Sequence, residues 1–102
     1  MDTYPTRLKA MELANLWNES ALFNNVPLVF IAEDAYGSHT VAVYAIKHAS
    51  PMADANPVHD FQCYARAMWT AKEHMQAIDK LAGVMHGGEV VLNQIIEIVE
   101  AG

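Results

Sequence analysis

The sequence predicts a small α+β domain, and three observations carry that prediction. An apolar row, Phe61, Tyr64, Met68, Ala71, Met75, Ile78, Ala82 and Met85, advances three and four residues at a time, the period of a helix. Two runs rich in β-branched and aromatic residues, 28–32 and 40–46, flank a turn that contains Gly37. Ahead of them, an N-terminal stretch has helical apolar spacing. The expected order is an N-terminal helix, a β-hairpin, a long central helix and a C-terminal helix, with a third strand at the C-terminus as the alternative. At 102 residues the chain is expected to form a single domain, 1–102, around one modest core.

The first helix is expected over residues 4–23, capped by Asp2 or Thr3, with Pro5 in its first turn and Leu8, Met11, Leu16 and Phe23 as its apolar contacts. Leu13 and Trp17 widen that face. Asn24 and Asn25, just before Pro27, supply the stop, because Asn tolerates left-handed backbone and the residue before proline avoids the helical region.

The hairpin turn is expected over 33–38. Its strands are apolar on both faces, which implies cover on two sides or an edge that pairs with another chain. Two strands alone are marginal, so a further element must complete the sheet. Asn56 and Pro57 then read as N-cap and first residue of the long helix, which ends at His86, Gly87 and Gly88. In the tail, residues 89–100, helical spacing fits better than alternation, although its Val and Ile residues favour a strand.

Composition narrows the functional classes. Six Lys and Arg stand against twelve Asp and Glu, a formal net charge of −6. A chain so poor in cations is not expected to bind nucleic acid, which draws affinity from neutralising phosphates, and a basic protein surface is its natural electrostatic partner. Charged residues are 18% and hydrophobic ones 53%, so an exposed apolar patch is expected. Residues 1–7 lack a basic and apolar leader, and no apolar run approaches the roughly 20 residues of a membrane helix. With the single Cys63, these features point to a soluble protein of the cytoplasm.

No residue set has the spacing of a catalytic or cofactor motif, and none is expected. The nearest approach is His59 with Cys63, four apart on one helical face and able to share a zinc ion if His39, His48 or an acid joined them. His74 lies eleven residues beyond Cys63, too far along a helix to complete that site. Arg66, Thr70, Glu73, His74 and Ala77 fall with these two on the face opposite the apolar row, as an ordinary solvated surface. The row itself packs on the rest of the domain or, in part, meets a partner or a second copy in a structural homodimer.

The functional expectation is a small acidic non-enzymatic protein that binds and inhibits or regulates a larger, basic protein. Immunity proteins and phage proteins that disable nucleases are analogous in size and charge only. The candidate contact residues are the acidic pairs Glu33 and Asp34, and Glu97 and Glu100, together with Trp69 and Met75 on the long helix. The alternative is a metal-binding or enzymatic module built on His59 and Cys63.

Overall fold

The computed structural model describes residues 2–46, 63 and 65–85. It is an α+β fold: helix α1 (Arg7–Phe23), strands β1 (Leu28–Ala35), β2 (Ser38–Ala45) and β3 (Ala65–Met68), and helix α2 (Ala71–Met85), in that order along the chain. The strands make one antiparallel sheet, β1-β2-β3, with β2 in the middle.

Helix α1 starts a turn later than its sequence suggests. Thr6 is extended and its hydroxyl oxygen accepts from the Lys9 N–H at 3.1 Å, so Thr6 is the N-cap and Pro5 precedes the helix. Tyr4 is drawn elsewhere. Strand β3 covers only Ala42–Ala45 of β2, and on the remaining edge the Tyr4 N–H donates to the His39 carbonyl at 2.8 Å. The C-terminus of α1 closes as expected: Asn25 is left-handed (φ 55°), its N–H donates to Leu22 and that of Val26 to Ala21.

The hairpin turns on two residues, Tyr36 and Gly37, with φ of 53° and 77°. Two left-handed residues give the twist that antiparallel strands need, and the strands therefore run closer to the turn than expected. Glu33 and Asp34 belong to β1 rather than to the turn.

The larger correction concerns residues 65–70. The long central helix does not exist as one element: Ala65–Met68 pair with β2, and α2 begins only at Ala71. Thr70 and Glu73 mark its start, the Thr70 hydroxyl oxygen accepting from the Glu73 N–H while the Glu73 carboxylate accepts from the Thr70 N–H at 3.1 Å. Asp2, expected to cap α1, instead accepts from the Ala71 N–H at 2.7 Å. Of the apolar row, Met68 lies in β3 while Ala71, Met75, Ile78, Ala82 and Met85 lie in α2. Phe61, Tyr64 and the tail fall outside the described residues.

Both helices cover the same face of the sheet. There Ala10, Ala14, Trp17 and Ala21 of α1 and Ala77, Ile78 and Leu81 of α2 pack on Leu28, Phe30, Val41, Val43 and Trp69. The buried face of α2 is centred on His74, Ala77, Ile78 and Leu81, turned by roughly a quarter of a turn from the expected row, so His74 and Ala77 are core rather than surface. On the opposite face of the sheet, Val29, Ala42, Tyr44 and Ile46 form a second buried cluster. The outer edge of β1 is closed at Phe30 by Asn18, whose buried amide donates to the Phe30 carbonyl at 2.8 Å and accepts from its N–H at 2.7 Å.

Candidate protein-docking surface

The acidic pair proposed at the hairpin is not a pair of free charges. Strand alternation sends Glu33 to the second face of the sheet, where its carboxylate accepts from the Tyr44 hydroxyl at 2.8 Å and from Arg66 at 2.7 Å. Arg66 also donates to the Tyr44 oxygen at 3.0 Å and lies over its ring. Burial, reinforced by the bond to Glu33, pushes the Tyr44 hydroxyl above its ordinary range. One residue from each strand thus joins a cross-strand network whose charges cancel. Asp34 is solvent-exposed and lies 2.9 Å from His39.

Trp69 is buried in the core and cannot serve as an exposed anchor. Met75 is exposed on α2. Glu97 and Glu100 lie outside the described residues.

His74 is sealed among three aromatic rings, with centroids 4.6 Å from Trp17, 5.1 Å from Phe30 and 5.8 Å from Trp69. Neither of its ring nitrogens, nor Trp69 Nε1, has a hydrogen-bond partner of good geometry among the described residues. Burial lowers the imidazole to about 4, outweighing the Val41 carbonyl and the charges of Glu73 and Asp2, which favour protonation. It is a neutral core side chain at pH 7.

Cys63 is half-buried and its thiol donates to the Ala65 carbonyl at 3.2 Å. Burial raises its thiol above the ordinary range, the reverse of what a nucleophile or metal ligand needs. His59 and His48 lie outside the described residues, while His39 is with Asp34 and His74 is in the aromatic cage. Among the described residues no three His, Cys, Asp or Glu side chains converge.

The surface that stands out is the outward side of α1. Leu8 is 66% exposed, Leu16 58% and Phe23 90%, with Leu22 exposed beside them. Glu12 and Glu19 lie between them, and neither has an ion-pair partner among the described residues. At 100° per residue Leu8, Glu12, Leu16, Glu19 and Phe23 fall within an arc of about 80°, forming a straight ridge about 22 Å long. Leu8, Leu16 and Phe23 are expected in the core, and their place there is taken by three alanines and Trp17. The signal was present: Ala10, Ala14, Trp17 and Ala21 step four, three and four residues, and alanines let the helix lie close to the sheet.

A second exposed aromatic, Tyr36, is fully exposed at the hairpin apex in left-handed backbone that favours Gly or Asn. Packing within the described chain supplies no reason for tyrosine there.

Fold and surface define a small α+β domain with an apolar and acidic helix face turned to solvent, and among the described residues no helix is long and apolar enough to cross a membrane. Compared with protein-family models, curated proteins and solved structures, the chain matches none.

Proposed function

We propose that this protein is a small acidic, non-enzymatic binding protein of the cytoplasm that docks on a larger basic protein, such as an enzyme acting on nucleic acid, and inhibits or regulates it. The observation that carries the reading is the outward face of α1, where exposed large apolar side chains alternate with carboxylates that have no ion-pair partner among the described residues. Buried apolar anchors supply most of the energy in protein interfaces, and surrounding charges set partner choice and association rate. A net charge of −6 agrees in sign with a basic partner. The fully exposed Tyr36 adds a second contact of the type enriched in interfaces.

The test is affinity capture from the native cell lysate with the wild-type chain and with a Leu16→Asp/Phe23→Asp variant shown by circular dichroism to be folded. The expected result is a basic protein retained by the wild type and lost by the variant. If both retain the same proteins, or the wild type retains none, this reading falls.

A further inference from the structure

We infer that the occupant of the α1 ridge is a helix of the partner that carries two cationic side chains seven residues apart within an apolar stripe. The inference rests on the reading of α1 as a docking surface and goes on to specify what docks. Three observations lead to it.

The first is spacing. Glu12 and Glu19 are seven residues apart, two turns, which places them about 10 Å apart along one side of α1. A partner helix lying along the ridge repeats that distance between its own residues i and i+7, so two Lys or Arg side chains meet both carboxylates at once. An extended strand fits it less well, since its side chains recur on one face every 6.7 Å or so and match a 10 Å interval only by bending the side chains.

The second is the apolar frame. Leu8 and Leu16 bracket Glu12, while Leu16 and Phe23 bracket Glu19, so each carboxylate is flanked by side chains that would be buried with it. An incoming cation is therefore met in a partly desolvated setting, where a charge pair is worth more than on open surface. Arg7 and Lys9 lie in the first turn, beside rather than within the ridge.

The third observation rules against a second copy of this chain. Antiparallel self-pairing that covers the apolar residues brings Leu8 opposite Phe23 of the other copy, and the same register brings Glu12 opposite Glu19. Parallel pairing sets each glutamate against itself. Either arrangement buries like charges face to face, which opposes association.

The probes are two synthetic 21-residue peptides, side-chain-stapled to be helical when free, with leucine at the contact positions and either arginine or glutamate at two flanking positions seven apart. Binding is titrated by heteronuclear NMR against the wild type and against Glu12→Arg/Glu19→Arg, with sedimentation of the protein alone alongside. The expected result is at least a tenfold preference of the wild type for the arginine peptide, with shifts confined to the outward side of α1, and inversion of that preference in the double variant. Equal binding of both peptides, binding of neither, or shifts centred elsewhere would overturn the helical occupant. A wild-type dimer dispersed by Leu16→Asp would replace it with a second copy. In each of these cases lysate capture that still depends on Leu16 and Phe23 leaves the docking function standing, and loss of that dependence removes both.

Discussion

Helices α1 and α2 cover the same face of one sheet, yet they present opposite surfaces to water. Helix α2 follows the usual division more closely, burying His74, Ile78 and Leu81 and leaving Lys72, Gln76, Asp79 and Lys80 outside, with Met75 as its one exposed large apolar side chain among those described. Helix α1 approaches the sheet through alanines grouped around Trp17 and leaves Leu8, Leu16, Leu22 and Phe23 exposed. The difference shows that hydrophobicity alone did not choose the buried side of α1. Closeness of fit did: a row of small side chains lets the helix settle against β1, where Asn18 reaches the backbone of Phe30. The larger apolar side chains were left over, on an element anchored firmly enough to hold them out.

The sharpest way to break the comparison is to remove the largest side chain on the inner side of α1. Trp17 packs on Phe30 and His74 at centroid distances of 5.9 and 4.6 Å. Trp17→Ala should cost about 3 to 5 kcal/mol, read from denaturant unfolding of both proteins. A cost near that of a surface substitution would mean that α1 is not seated through Trp17.

The inner side of α2 should respond to acid. The folded imidazole of His74 sits at about 4 while the unfolded one has its ordinary value near 6.5. Above pH 6.5 both states are neutral and stability is complete. As the pH falls from 6.5 to 4 only the unfolded state takes up the proton, so stability declines, and below 4 the loss levels off at about 3 kcal/mol. Denaturant midpoints measured between pH 7 and 5 avoid most carboxylate titration, including that of Glu73, which its bonds to the Thr70 backbone and hydroxyl hold low. His74→Leu should flatten this slope. A wild-type protein with no slope in that window would contradict a neutral, sealed imidazole.

Legibility followed the locality of each signal. The stop at Asn25 and the turn at Gly37 depend on the backbone freedom of single residues, and both were readable. The two strands of the hairpin announced themselves through Val, Ile, Phe and Tyr. Strand β3 did not, because Ala65, Arg66, Ala67 and Met68 are good helix formers whose conformation is imposed by the free edge of β2. A three-and-four apolar pattern ran across the true boundary and hid the Thr70-x-x-Glu73 capping box that marks it. At the candidate site, Glu33 was legible as an acid but not as the partner of Arg66, since only the assembled sheet brings the two together. The outward ridge of α1 was misread for a related reason: which side of an apolar helix is buried depends on the surface it meets.

The two N-termini offer a smaller contrast. Among the described residues Thr6 is the one side chain that caps α1, whereas α2 has Thr70, the reciprocal bond from Glu73 and the Asp2 carboxylate on Ala71. Thr6→Ala should cost about 0.5 to 1 kcal/mol and Thr70→Ala about 1 to 2, because each releases one capped N–H but the latter also removes the hydroxyl that donates to the Glu73 carboxylate at 2.9 Å. Equal costs in thermal unfolding would show that the added bonds at α2 contribute nothing measurable.

The smallest effect is expected where the large apolar side chains face water. Phe23 is 90% exposed, so most of its surface already lies in water, and removing it leaves neither a cavity nor an unpaired polar group. Phe23→Ser and Leu16→Ser should each change unfolding free energy by less than about 0.5 kcal/mol, against the several expected for Trp17→Ala on the same helix. Conserved stability with lost partner capture would separate the two sides of α1 into one that holds the fold and one that is free to bind. If either serine variant instead costs 2 kcal/mol or more by denaturant unfolding, that side chain belongs to the core after all, and α1 would have no surface to spare for a partner.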